Sequence, residues 1–235
     1  MDSQIKPQNN LCVVASHRSW NRNIANRLQK NLNLEFILIS DPDLLTFDYL
    51  RKIQPQYVFF PHWSYRIPKE IFTDFECVVF HMTDLPFGRG GSPLQNLITR
   101  GIYETKVTAL RCSEELDAGG IYLKKPLSLY GSAEEIFIRA SQIIEEMIAE
   151  IIENKYTPIP QSGEPKVFKR REPQQSNLQG AISLQDVFDH IRMLDAEGYP
   201  HAFIQVGSLR FEFTRASLKT GSVLADVKIT ITDES

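Results

Sequence analysis

Four short and almost continuous runs of apolar residues, separated by segments with helical periodicity, constrain the fold of this chain more than any other feature. The runs are LCVVAS (11–16), EFILIS (35–40), YVFFP (57–61) and CVVFH (77–81). Strands that are buried on both faces of a parallel sheet have this β-branched and aromatic composition. Between the runs, apolar residues recur at helical spacing over 21–32 and 43–53. This alternation predicts an α/β fold with a Rossmann-like, doubly wound and mostly parallel sheet.

The pattern changes in the second half of the chain. VTALRC (107–112) and GIYLKKPLS (120–128) predict a pair of strands joined by a turn at DAGG (117–120). The stretch 132–153 predicts a long helix, because its apolar residues follow helical spacing and Ser132 and Glu135 form a capping-box pattern.

Residues 155–180 are rich in Pro, Gly, Gln and Ser, which indicates a connecting segment. A short helix over 184–194 and alternating strands within 202–232 then predict a small β-rich appendage at the C-terminus. We therefore expect a main domain over 1–165, a linker over 166–183 and a small α+β subdomain over 184–235.

Composition argues against several classes of protein. The formal net charge is −3, so no electrostatic footprint for nucleic acid is present and no nucleic-acid partner is expected. Cys12, Cys77 and Cys112 are far apart and lie in or beside apolar runs, so neither a metal site nor a disulfide framework is predicted. The polar N-terminus has no signal-peptide pattern and no run is long enough to span a membrane. These features predict a cytoplasmic protein with no membrane partner.

The stretch FHMTDLPFGRGGSP (80–93) carries the clearest chemical signal. It follows the fourth predicted strand, and ligands bind at the carboxyl ends of strands in open α/β sheets. Taken alone, His81 fits a structural role at a strand end better than a catalytic one. The glycines permit close approach of the backbone to a ligand, and Arg89 has the planar fork that binds phosphate or carboxylate.

These residues resemble the signature of the folate-dependent formyltransferases, a family that includes methionyl-tRNA formyltransferase and, closest in size to this chain, the sugar N-formyltransferases. The signature is Asn-x-His, a loop ending in Leu-Pro, an Arg-Gly pair and a later Asp-x-Gly. In this chain His81 is followed by Leu85-Pro86 and Arg89-Gly90, and the segment 104–122 supplies Asp117 and Gly119. Weaker similarity over 65–72, 167–173 and 191–203 extends the resemblance to about residues 10–205.

The resemblance implies transfer of a formyl group from N10-formyltetrahydrofolate to a primary amine. His81 would shuttle a proton or stabilise the oxyanion, and Asp117 would orient the imidazole, as catalytic residues. The implied cofactor-binding residues are Arg66, Ile67, Leu85, Asp117 and Gly119. The implied substrate-binding residues are Arg89, Gly90 and Ser92.

The acceptor that we favour is a small molecule, a nucleotide-linked amino sugar. The chain is short, its C-terminal part is small and its net charge is negative, whereas a tRNA-binding enzyme should carry a basic stripe. A methionyl-tRNA formyltransferase-like enzyme and a formyltetrahydrofolate hydrolase remain alternatives. An exposed strand edge in the appendage would allow a homodimer.

One departure from the family signature is large, because Val79 occupies the position of the asparagine. Loss of one oxyanion donor typically costs about 10²–10³ in rate. Val79 therefore leaves three alternatives. Another donor has replaced the asparagine, with His62, Ser64, Thr83 and Asn96 as candidates. Otherwise the enzyme is slow, or the chain is a non-catalytic folate- or nucleotide-binding homologue. His17, after the first strand, stays open between a surface and a ligand-binding role. The charge run KRRE (169–172) predicts a solvated face rather than a phosphate site.

Overall fold

The computed structural model describes residues 10–232 and contains three sheets. The strands are β1 (Leu11–Ala15), β2 (Glu35–Ile39), β3 (Tyr57–Phe60), β4 (Cys77–His81), β5 (Phe87–Gly90), β6 (Glu104–Arg111), β7 (Ile121–Ser128), β8 (Lys166–Phe168), β9 (Ala202–Val206), β10 (Leu209–Lys219) and β11 (Ser222–Ile231). The α-helices are α1 (Ile24–Asn31), α2 (Phe47–Ile53), α3 (Lys69–Asp74), α4 (Pro93–Ile98), α5 (Ala133–Asn154) and α6 (Leu184–Arg192).

The main sheet has six strands in the order β2-β1-β3-β4-β6-β7. The four apolar runs form β1 to β4, and all four strands are parallel. β6 pairs antiparallel with β4, and β7 pairs antiparallel with β6. The predicted Rossmann-like and mostly parallel sheet is therefore confirmed, with β6 as its reversed strand.

Each face of the main sheet is covered by its own hydrophobic cluster. One cluster joins the sheet to α1, α4 and α5. The other, called the second cluster below, joins the sheet to α2 and α3 through Leu50 and Ile71. Helix α5 begins with the predicted capping box, in which Ser132 Oγ accepts a hydrogen bond from the backbone N–H of Glu135 and the Glu135 carboxylate accepts one from Ser132.

Two elements beside the site were not predicted. β5 and β8 form a short parallel pair, although the sequence of β5 contains two glycines and β8 lies at the start of the predicted linker 166–183. The close approach explains the glycine at position 88, where φ is +80° and a Cβ would lie 2.8 Å from the Phe168 ring. Strands of three or four residues that include glycine show no readable period, so the pattern favoured loops.

The C-terminal sheet, in the order β11-β10-β9, packs against α6 and confirms the β-rich appendage. The buried Arg192 bonds to Asp189 of the same helix and donates to the carbonyls of Leu129 and Gly131 in the main domain. These contacts fasten α6 to the main domain. The boundaries that we expect between domains stay a prediction.

Residues 10–232 contain neither a membrane-spanning helix nor a cluster of metal-ligating side chains. No helix in this range has the length and apolar character needed to cross a bilayer. Over the same range, no group of three or more His, Cys, Asp or Glu side chains is arranged to hold a metal ion.

Candidate active site

His81 is the last residue of β4, at the carboxyl edge of the main sheet. β4 lies between β3 and β6, and His81 is paired with Thr108 of β6. The residue is only 7% exposed. The strand order therefore places this histidine at the edge where ligands bind in open α/β sheets, and largely out of bulk water.

The two ring nitrogens of His81 face two oxygen atoms from different segments. Nε2 lies 2.7 Å from the carbonyl oxygen of Gly88, and Nδ1 lies 3.5 Å from Oδ2 of Asp117. A carbonyl and a carboxylate only accept hydrogen bonds, so a ring that carries protons on both nitrogens satisfies both partners. The structure thus brings together the two residues predicted to be catalytic.

Asp117 is held in an uncommon backbone conformation. Its φ is +55°, in the left-handed region where non-glycine residues are rare. Its carboxylate accepts a hydrogen bond from the backbone N–H of Gly90 at 2.9 Å and is largely buried. Residues in such sparsely populated conformations cost of order 1–3 kcal/mol and persist only where the surroundings hold them, often at functional sites.

Gln161 holds the loop that carries Asp117. Its Nε2 donates to the carbonyl oxygens of Asp117 and Gly119, at 2.8 and 2.9 Å. Its Oε1 accepts from Nε and one terminal nitrogen of Arg89, at 3.1 and 2.9 Å. Sequence reasoning missed this residue, because Gln161 lies in a Pro- and Gln-rich segment and no spacing relates it to His81 or Asp117.

The three residues predicted to bind substrate lie close to the His81–Asp117 pair, but their polar groups are already bonded within the chain. The Arg89 guanidinium binds Gln161 and also Glu115, and the Gly90 N–H binds Asp117. The Ser92 hydroxyl accepts from the backbone N–H of Arg171. Their role toward substrate stays a prediction, while their role in shaping the loop is visible in these contacts.

The residues predicted to bind the cofactor occupy different environments. Arg66 is exposed, Ile67 packs against the second cluster, and the Leu85 side chain is fully buried. At position 119 an added Cβ would lie 1.9 Å from the carbonyl oxygen of Arg111, so only glycine fits there for a purely local reason. Their contacts with a cofactor stay predictions.

Val79 lies two residues before His81 on β4, so both side chains point to the same face of the sheet. Val79 is half-buried and packs against the second cluster, as do Ile67 and Cys112. This face therefore offers apolar surface next to His81, with no amide from position 79.

The proposed replacement donors are not equivalent in the structure. The Asn96 amide donates to the carbonyls of Gly91, Ser92 and Lys169, so this candidate was wrong as a free donor. The Asn96 side chain instead stabilises the turn before α4 through its bonds to the carbonyls of Gly91 and Ser92.

The other candidates differ in their contacts. Ser64 is exposed, and its hydroxyl lies 3.5 Å from Nε2 of His17. His62 accepts hydrogen bonds at Nδ1 from Trp20 and Asn21, and desolvation by burial lowers its pKa to about 3. The buried Thr83 hydroxyl lies 3.4 Å from the Gly88 carbonyl, the same oxygen that His81 contacts. Of the four candidates, Thr83 alone shares a described hydrogen-bond partner with His81.

Comparison with known proteins identifies the family. A solved structure described as methionyl-tRNA formyltransferase from Clostridium thermocellum is 50% identical, covers 94% of this chain and 99% of that chain, and superposes with a TM-score of 0.91. The chain belongs to the folate-dependent formyltransferase family. The family model for the methionyl-tRNA formyltransferase C-terminal domain also matches this formyltransferase, over residues 173–230.

More distant comparisons differ in length and in the ligands present. The curated methionyl-tRNA formyltransferase of Sulfurimonas denitrificans is 30% identical over 55% of this formyltransferase, which spans about half (46%) of that relative. The structure of HypX from Aquifex aeolicus in complex with tetrahydrofolic acid is 20% identical, with a TM-score of 0.71 over 87% of this chain and 37% of that chain. The structure of the formyltransferase PseJ from Anoxybacillus kamchatkensis, in complex with a UDP-linked formamido sugar and tetrahydrofolate, is 19% identical, with a TM-score of 0.53 over 67% of this chain and 84% of that chain. The HypX and PseJ structures, at 20% and 19% identity, show likeness of fold and nothing further.

The relatives described as methionyl-tRNA formyltransferases count against the prediction that no nucleic acid is bound. That prediction was drawn from the net charge, the short chain and the small C-terminal part, and none of these measures the local charge of a binding surface.

Proposed function

We propose that this chain is an N-formyltransferase that moves a formyl group from N10-formyltetrahydrofolate to a primary amine. The observation that carries the proposal is the position of His81, at the carboxyl end of β4 with its ring nitrogens between the Gly88 carbonyl and the Asp117 carboxylate. Membership of the formyltransferase family supplies the class of reaction.

The residues beside His81 fit a folate. Val79, Ile67 and Cys112 offer half-buried apolar surface on the second cluster, which suits a flat aromatic ring. Arg66 is exposed nearby in sequence and suits the carboxylates of a glutamate tail. When bound, N10-formyltetrahydrofolate supplies the formyl group.

The protein's own part in the reaction is proton movement and charge stabilisation. In the transfer, a bond forms between the amine nitrogen and the formyl carbon, the bond from that carbon to N10 breaks, and the amine loses a proton while N10 gains one. Because Nε2 of His81 is bound to the Gly88 carbonyl, Nδ1, which faces Asp117, is the position from which His81 would give a proton to N10 and at which it would take one from the amine. The charge of the imidazolium ring would stabilise the developing oxyanion.

The acceptor that we favour is a nucleotide-linked amino sugar. The net charge of −3 suits a small acceptor better than a polyanion. The second candidate is methionyl-tRNA, which is favoured by the description of the relative that is 50% identical.

The test is a turnover assay with N10-formyltetrahydrofolate and a panel of acceptors, namely nucleotide-linked 3-amino and 4-amino sugars and methionyl-tRNA, with products identified by mass. We expect one formylated sugar, and its loss in His81→Ala. The matched control is His190→Ala, because His190 lies on α6 and bonds within its own helix.

Each other outcome has a distinct meaning. Formylated methionyl-tRNA without formylated sugar would establish the second candidate. Formate released without an acceptor would indicate a hydrolase. Cofactor binding with no transfer to any acceptor, equal in wild type and His81→Ala, would contradict the transferase and support a non-catalytic homologue.

A further inference from the structure

A pocket lies at the carboxyl ends of β1 and β2, lined by residues that the proposed reaction does not use. Its volume is about 390 Å³. Its lining includes His17, Arg18, Ser19 and Arg22 after β1, Ser40 after β2, and Glu197 from the segment that follows α6. The pocket is therefore bounded on one side by the main sheet and on the other by the C-terminal part of the chain.

The charge of this pocket is positive. In residues 10–232 neither Arg18 nor Arg22 forms an ion pair with a carboxylate. The Arg18 guanidinium lies 5.7 Å from the Trp20 ring centroid and 5.6 Å from that of Tyr199, contacts that hold it in place while leaving its N–H groups available. Glu197, the acid on the described lining, accepts a hydrogen bond from the Ser19 hydroxyl.

Buried nitrogen atoms without partners lie in the loop that lines this pocket, at His17, and in the neighbouring loop after β3. Within the described residues these include His17 Nδ1, His62 Nε2 and Trp63 Nε1, in the loops that follow β1 and β3. Because Nδ1 of His62 accepts two hydrogen bonds, the proton of its neutral ring lies on Nε2. The Trp63 and His62 nitrogens are thus donors without acceptors, and buried donors of this kind are rare unless a ligand or water completes them.

The position in the sheet is one where ligands bind. β1 lies between β2 and β3, so the strand order reverses at β1, and the carboxyl ends of the strands at such a point are where ligands bind in open α/β sheets. β4 lies two strands from β1, and neighbouring strands are ~4.8 Å apart, so the pocket is about 10 Å from the strand end that carries His81.

We propose that this pocket binds the diphosphate of a nucleoside diphosphate-linked acceptor. Two guanidinium groups that form no ion pair within the described residues, with the His17 ring and the Ser40 hydroxyl beside them on the lining, suit a compact anion with many acceptor oxygens. The distance to His81 is spanned by one sugar ring, which would present its amine to the Asp117–His81 pair. A continuous phosphate backbone would have to pass the Glu197 carboxylate, which favours a small nucleotide over RNA. The inference rests on the proposed function for its acceptor.

The chain carries its own probe for this pocket. It has two tryptophans, Trp20 and Trp63; Trp20 contacts Arg18, and Trp63 lies against the His17 ring with centroids 5.9 Å apart. UDP and inorganic pyrophosphate, titrated into the full chain without folate, should change the tryptophan fluorescence and give a Kd that calorimetry reproduces.

Two variants and one control test the assignment. Arg18→Gln and Arg22→Gln should each raise the Kd for UDP about 10-fold or more, as expected for loss of a hydrogen bond to a charged group. Lys30→Gln removes one positive charge from the exposed end of α1, away from the lining, and should leave the Kd within about twofold. With the formylated sugar as product, both arginine variants should raise KM and leave kcat near wild type.

The outcomes separate this inference from the proposed function. His81→Ala should keep UDP binding while losing turnover. Arginine-dependent UDP binding in a chain that transfers no formyl group would defeat the proposed function and leave the subsite standing. No UDP or pyrophosphate binding at millimolar concentrations, or binding that ignores both arginines, would overturn the subsite. Arginine-dependent binding of a tRNA acceptor-stem minihelix without UDP binding would overturn it in favour of RNA.

Discussion

Asp117 shows how one residue joins several parts of the site. Its carboxylate receives the Gly90 N–H and faces Nδ1 of His81, while its carbonyl is bonded by Gln161. Its left-handed backbone would suit asparagine as well as aspartate. Substitution by asparagine therefore tests the charge of the side chain while retaining the shape of the loop.

We predict that Asp117→Asn lowers kcat by about 10²–10⁴-fold, the usual contribution of general acid–base catalysis. The reason is that a neutral amide does not hold the Nδ1–H of His81 in place as a carboxylate does. The thermal midpoint should fall little, because the backbone conformation is retained. Steady-state kinetics and a melting curve measure both quantities. Asp84→Asn is the control, since Asp84 pairs with Lys106 and Lys124. Equal loss of activity in both variants would contradict the role of Asp117.

Val79 is the residue at which this chain departs from its family. We predict that Val79→Asn raises kcat by about 10-fold or more, because an amide on the same face as His81 adds an oxyanion donor. Val79→Thr serves as the control for added polarity at nearly unchanged volume. Single-turnover rates would measure the change. An unchanged rate in Val79→Asn would instead mean that another donor, with Thr83 as the nearest described hydroxyl, already fills the position.

At the scale of elements, the site depends on segments that join distant parts of the chain. β5 and β8 pair beside His81, and the 115–119 loop is tied to the segment after α5 through Gln161 and Arg89. None of these segments is long enough to be stable alone, so the arrangement depends on cross-links between side chain and backbone.

We predict that Gln161→Ala lowers kcat about 10-fold or more while the affinity for UDP is unchanged. Loss of the side chain leaves the carbonyls of Asp117 and Gly119 without their donor and frees the Arg89 guanidinium, so the carboxylate facing His81 is less well positioned. The pH profile of kcat should also shift, which a purely structural loss would not produce.

The control for this variant is Gln174→Ala, at an exposed position in the same stretch of chain. If kcat is the same for Gln161→Ala and Gln174→Ala, Gln161 does not position the Asp117 carboxylate for the reaction.

At the scale of the whole molecule, the loops after β1 and β3 link folding stability to pH. The ring of His62 has a pKa of about 3 because burial disfavours its charged form, whereas an unfolded histidine has a pKa of 6.5. The unfolded chain therefore binds a proton first as the pH falls. This contribution to stability is intact above pH 6.5 and is lost progressively between pH 6.5 and about 3.

We predict that lowering the pH from 7 to 5 reduces the free energy of unfolding by roughly 2 kcal/mol through His62. His62→Asn, which tolerates the left-handed φ of +51° at this position, should flatten the dependence. Urea unfolding at several pH values measures it, with His190→Asn as the control. The same slope in wild type and His62→Asn would contradict the assignment.

For the C-terminal appendage, the sequence predicted the strands but not their contacts with the rest of the molecule. The alternation over 202–232 correctly indicated antiparallel strands, which form β9 to β11. The sequence did not show that Arg192 would be buried against the carbonyls of Leu129 and Gly131, because such contacts join residues with no local relation. Nor did it show that Glu197 and Gly198 would close a pocket at β1.

The sequence by itself determined the α/β class, the strands of the main sheet, the capped helix α5 and the likeness of the His81 block to a family. These features are local: an apolar run, a helical period and a capping box are written in neighbouring residues. Tertiary structure alone decided that Gln161 would hold the Asp117 loop, that the Asn96 amide would be consumed by backbone carbonyls, and that two arginines would share a pocket with the C-terminal segment. The physical reason is that hydrogen bonds and burial at a site depend on which segments the fold brings together.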